Sequence, residues 1–132
     1  YIYNFAPLLS YNKWLQNATD PECDNYVCHA SELPILFNSE YLESEGHPPP
    51  TTQEHTLSHQ MQTIWSNFAI SGDPNSPVPI PVQKGMPTNL RFPKFDFSKD
   101  TVMQFDIPTT LKSNRRGKFC DYFDTIGYNR TG

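Results

Sequence analysis

No apolar run in this chain approaches the roughly 18 residues needed to cross a bilayer, so no membrane span is expected and the chain is read as soluble. Gly-x-Ser-x-Gly, the strand-to-helix turn that displays a serine nucleophile, occurs nowhere in the 132 residues. There is no basic stripe. The ten Lys and Arg residues are dispersed apart from Lys112, Arg115, Arg116 and Lys118, and the net charge is −4, which argues against nucleic-acid binding. Cysteine is scarce too. Three residues allow at most one internal bridge, with Cys23 and Cys28 close enough in sequence to close a short loop and Cys120 left over; three reduced thiols are the other reading.

Proline, in contrast, is abundant. Thirteen prolines leave much of the chain as connection, and connections of that length usually run over a surface supplied by other segments. The chain is therefore expected to be poorly stable in isolation. It opens on a strand-like segment with no leader, as an internal cut would, while the sequons Asn17-Ala18-Thr19 and Asn129-Arg130-Thr131 admit N-glycosylation in a secretory compartment.

Tyr1–Ala6 alternates with period two and stops at Pro7, which predicts a strand. An irregular excursion follows to Asn25, with one turn of helix around Tyr11–Leu15. Ser31 is placed to cap a short helix with Pro34 in its first turn and Leu33, Leu36 and Phe37 on its buried side. The longest helix is predicted over Thr52–Ala69, opened by a Thr51-x-x-Glu54 capping box. Leu57, Met61, Ile64, Trp65 and Phe68 form its apolar face, with Ser58, Gln62 and Ser66 pointing away and Trp65 and Phe68 serving as core. Asp73–Pro93, with six prolines, reads as an extended crossing. Phe95–Phe97 and Thr101–Asp106 are expected to pair through a turn at Ser98–Asp100, and Gly117–Ile126 to form a last helix with Phe119, Tyr122, Phe123 and Ile126 on one side.

The chemistry concentrates at His29, just ahead of the short helix. A loop on a rigid scaffold is where reactive side chains are usually displayed, and an imidazole there acts as a proton shuttle. The nucleophile it would serve must lie on sequence beyond these residues. A metal role is not expected. Cys23, Cys28 and His29 lack the second ligand pair of a structural zinc site, and His55 and His59, four apart on one helix, have neither a third ligand nor the intervening Glu of a metalloprotease.

Three blocks carry a resemblance. His29-Ala30-Ser31-Glu32-Leu33-Pro34-Ile35-Leu36-Phe37, then Gln60-Met61-x-x-x-Trp65-x-Asn67-Phe68-Ala69-x-x-Gly72-x-Pro74-Asn75, then Phe119-Cys120-Asp121-Tyr122-Phe123-Asp124, resemble in order and separation the C-terminal region of type-B carboxylesterases and their cholinesterase-like relatives. The resemblance implies an α/β class, with residues 1–132 the C-terminal part of one α/β-hydrolase domain: late sheet strands, a catalytic-histidine loop and amphipathic helices. It implies ester hydrolysis by a serine nucleophile, His29 matching the catalytic position, with the serine, the acid and the oxyanion loop absent and this piece inactive alone. The implied substrate is a small-molecule ester and no cofactor is implied. Glu32, too near His29 to be assumed the triad acid, is assigned to capping or positioning the helix entry. The resemblance further implies secretion, a distant upstream partner for Cys120, and a homodimer contact through Thr52–Ala69. The alternative is a non-catalytic adhesion or structural relative. Two departures from the family pattern stand out: Ala30 replaces its usual glycine, and Tyr or Phe replaces its usual tryptophan at Tyr122 to Phe123.

Overall fold

A computed structural model describes residues 1–10, 25–38, 48–113 and 117–127. The helical turn expected at Tyr11–Leu15, Cys23 and the sequons at Asn17 and Asn129 lie outside the described residues. Within them, three strands form a mixed sheet in the order β1 (Tyr3–Phe5), β2 (Thr101–Phe105), β3 (Thr110–Ser113). β1 runs parallel to β2, with Tyr3 opposite Met103 and Phe5 opposite Phe105. β2 and β3 are antiparallel, with Met103 opposite Leu111. Parallel neighbours require a long crossover, and here it holds helices α1 (Leu33–Phe37) and α2 (Thr52–Ser71), an α/β arrangement. Helix α3 (Gly117–Thr125) follows the sheet, and its Phe119, Tyr122 and Phe123 are all exposed.

Helix α2 begins where the capping box places it. The Thr51 side chain accepts from the Glu54 backbone N–H, the Glu54 carboxylate accepts from the Thr51 N–H, and Gly72 closes the helix in a left-handed conformation at φ 73°. Leu57, Met61 and Ile64 are buried with Leu9, Ile35, Phe92, Met103 and Phe105 in one core, against which Trp65 packs. Alternation puts Tyr3, Met103 and Phe105 on one sheet face. Tyr3 and Phe105 both meet the Trp65 ring edge-on or tilted, at centroid distances of 5.1 and 5.7 Å. Phe68 departs from its expected place in the core. It is 52 % exposed and lines, with Tyr1, Tyr3, Trp65 and Phe92, an apolar pocket of about 190 Å³.

The Glu54 carboxylate also reaches across the chain, accepting from the Ser10 N–H at 2.5 Å and the Ser10 hydroxyl at 2.9 Å. Burial alone would raise its pKa, but the donors from Ser10 and Thr51 outweigh that effect and hold it below the ordinary carboxylate value. Stability from this group is thus complete above the ordinary value and is lost as the pH falls through the lower folded-state value. In the complete protein, Glu54→Gln is expected to cost about 1–3 kcal/mol at neutral pH. Chemical unfolding should show that gap narrowing as the pH falls below the ordinary carboxylate value and closing once it has passed the lower folded-state value, because the wild-type carboxylate is then neutral as well.

Two expected elements are corrected. Phe95–Phe97 is not a strand: the Asp96 carboxylate accepts from the Ser98 N–H and hydroxyl, and the Asp96 carbonyl accepts from the Lys99 and Asp100 N–H groups, coiling the segment into a turn with Phe97 84 % exposed. The antiparallel partner of β2 is instead β3. At α1, Ser31 is not the N-cap; Glu32 holds that position, without a side-chain capping bond. The buried side of α1 is Pro34 and Ile35, while Leu33 is exposed and Phe37 is 71 % exposed. Ser58, expected to face away from the core, is buried because its hydroxyl donates to the Ile35 carbonyl at 2.6 Å, fastening α1 to α2.

Candidate functional site

Four residues, Cys28 to Ser31, form the turn that presents the histidine. The Ser31 N–H donates to the Cys28 carbonyl at 3.3 Å, and Ala30 lies at φ 65° while His29 keeps a negative φ. That is the pattern of a type II turn, with His29 second and Ala30 third. The third position of such a turn favours glycine, because a Cβ in the left-handed region crowds the following carbonyl. Ala30 occupies it at a cost. Ala30→Gly is therefore expected to stabilise the complete protein by about 0.5–1 kcal/mol, after allowing for the greater freedom of glycine in the unfolded chain, as read by chemical unfolding.

His29 itself is exposed among the described residues, and α1 starts four residues later. The Ser31 hydroxyl accepts from the Cys28 N–H at 3.1 Å, and the Leu33 N–H donates to the Ala30 carbonyl at 3.1 Å, so the turn runs directly into the helix. Glu32 acts on Tyr3: burial first, and the Glu32 charge second, raise the pKa of the Tyr3 phenol. Cys120 is exposed and free, whereas Cys28 is not a free thiol. His55 and His59 are both exposed, and among the described residues no group of three or more His, Cys, Asp or Glu side chains converges to hold a metal.

The polar residues of the second sequence block serve the scaffold. Asn67 Nδ2 donates to the carbonyls of Pro74 and Val78 at 3.1 and 2.8 Å, and its Oδ1 accepts from the Val78 N–H at 3.0 Å. Asn75 pairs in the same two-way fashion with the backbone of Phe92, at 2.7 and 3.0 Å. Gln60 donates to the Pro81 carbonyl at 2.8 Å and accepts from the Thr109 hydroxyl at 2.7 Å, and the Thr109 N–H donates to Gln83 at 2.6 Å. These amides pin the proline-rich crossing to α2 and to the β2–β3 connection. Spacing alone did not mark them as structural. The available signal was that a segment with six prolines is short of N–H donors, so its carbonyls need amide side chains from elsewhere.

Comparison with known proteins places this geometry in a family context. The family model described as "Carboxylesterase family" matches residues 1–123. A human cocaine esterase is 30 % identical over 118 residues, covering 87 % of this chain and 18 % of that protein. The "Crystal protein" of Dictyostelium discoideum is 26 % identical over 107 residues, covering 81 % of this chain and 18 % of its own length. A cAMP-regulated D2 protein from the same organism is 36 % identical over 61 residues, 46 % of this chain and 11 % of that protein. The chain spans less than a fifth of the length of these relatives.

Proposed function

This chain belongs to the carboxylesterase family, and we propose that the protein of which it forms part hydrolyses carboxylic esters through a serine nucleophile, with His29 as general base and then general acid. The observation that carries the proposal is the family match running across a tight turn that holds an exposed histidine just ahead of α1, whose Pro34 and Ile35 are buried. An imidazole takes the serine proton as the hydroxyl attacks the ester carbonyl, then returns it to the departing alcohol. A water molecule repeats the exchange on the acyl-enzyme. A carboxylate from elsewhere in the protein orients the ring, and backbone N–H groups stabilise the oxyanion. None of these three partners is assigned to residues of this chain, so the chain alone is expected to be inactive. The parallel β1–β2 pair with its helical crossover supports placing it in the late part of an α/β-hydrolase sheet.

Three further features belong to the same reading. A Cys23–Cys28 bridge would brace the turn from its N-terminal side; support comes from Cys28 not being free while Cys120 is. Glycans at Asn17 and Asn129 and passage through the secretory pathway go with that bridge. A homodimer contact through α2 would use residues other than Leu57, Met61 and Ile64, which the core already buries.

The test is to treat the complete protein with a serine-directed phosphonate and assay simple carboxylic esters. One labelled serine per molecule, with loss of ester hydrolysis in proportion to labelling, is the expected outcome. No labelled serine and no hydrolysis would instead favour a non-catalytic adhesion or structural role.

A further inference from the structure

The backbone of Cys28 is tied to one residue twice. Its carbonyl accepts from the Ser31 N–H at 3.3 Å, and its N–H donates to the Ser31 hydroxyl at 3.1 Å. Only His29 and Ala30 lie between the two ends of this clasp. Ser31 is 0 % exposed, so its hydroxyl is held without competition from solvent. Removing it would leave the Cys28 N–H without this acceptor and the turn closed by the longer of the two bonds.

The clasp is also anchored. Ser31 leads within two residues into α1, whose Ile35 is buried in the core and whose carbonyl at Ile35 receives the Ser58 hydroxyl from α2 at 2.6 Å. A rigid path thus runs from α2 through α1 to Ser31 and back across the turn to Cys28. The Cα–Cβ direction of His29 is set by that path, and the left-handed Ala30 fixes the other side of the turn.

We propose that Ser31 is a positioning residue for the reaction: its buried hydroxyl sets the direction from which the His29 imidazole approaches the serine. The inference rests on the esterase reading above. General-base catalysis depends steeply on such placement, and a displacement of about 1 Å can lower the rate about a hundredfold. Substrate binding does not depend on it in the same way. The loss should therefore fall on kcat and spare KM.

The experiment compares Ser31→Ala, Ser31→Thr, His29→Ala and Glu54→Gln in the complete protein, with kcat expressed per folded molecule. Ser31→Ala is expected to lower kcat about 10- to 100-fold with KM within about twofold of wild type. Ser31→Thr, which keeps the hydroxyl, should recover kcat to within about threefold. Glu54→Gln loses buried hydrogen bonds away from the turn, so it should lower stability and leave kcat per folded molecule within about twofold. If Ser31→Ala does not fold, Ser31→Cys substitutes a weak acceptor of similar size, and its kcat should fall at least about fivefold. Wild-type kcat in Ser31→Ala or Ser31→Cys, beside an inactive His29→Ala, overturns the role of Ser31 and leaves the esterase reading standing. Full activity in His29→Ala removes that reading, and this inference with it.

Discussion

Replacing His29 by alanine in the complete protein is expected to lower ester turnover by at least about a thousandfold while leaving the fold intact. The size follows from the role. Without an imidazole, the serine must lose its proton to solvent at the moment of attack, and the alcohol must leave without an acid to protonate it. The fold should survive because His29 is exposed in a turn closed by the backbone and by Ser31, and the core residues that hold α1 lie elsewhere. The check is kcat/KM on a simple ester, with the unfolding midpoint of the variant measured beside it.

The largest expected effect on stability lies at Asn67. Its side chain is completely buried and satisfies two carbonyls and one N–H of the proline-rich crossing. Asn67→Leu keeps a similar volume but strands the Pro74 and Val78 carbonyls and the Val78 N–H, and a buried polar group left without a partner costs about 1–3 kcal/mol. Because the freed segment can move partly into solvent, the expected total is about 2–4 kcal/mol rather than the full sum. Chemical unfolding of the complete protein measures it. A loss under about 0.5 kcal/mol would mean that other contacts hold the crossing in place.

The difference between these two sites shows what the sequence made legible. Helix α2 was readable because its start, its apolar spacing and its stop are all local: Thr51 and Glu54 lie three apart, Leu57, Met61 and Ile64 follow the helical period, and Gly72 ends it. The histidine turn was readable as a position, through its resemblance to a known family, but not as a geometry. Nothing local says that Ser31 turns back to Cys28 instead of capping α1, since both uses satisfy one backbone N–H. The residue that departs from the family pattern, Ala30, proves to sit at the one left-handed position of that turn.

Long-range polar contacts were the hardest to foresee. Ser58 sits among polar positions of α2, yet it is buried by a carbonyl 23 residues earlier in the chain. Gln60 and Thr109 meet across 49 residues. β3 was missed for a related reason: Phe95–Phe97 alternates more convincingly than Thr110–Ser113, but the Asp96 side chain gives its own backbone a competing set of hydrogen bonds. Local pattern loses wherever a short polar side chain finds a nearby N–H.

The central claim is that His29 serves a reactive serine, and the crystal structure of the complete protein after phosphonate labelling tests it most directly. A phosphonylated serine with its Oγ within about 2.6–3.2 Å of an imidazole nitrogen of His29 is the expected result. A modified serine remote from that ring, or a His29 side chain directed away from it into solvent, would contradict that role for His29.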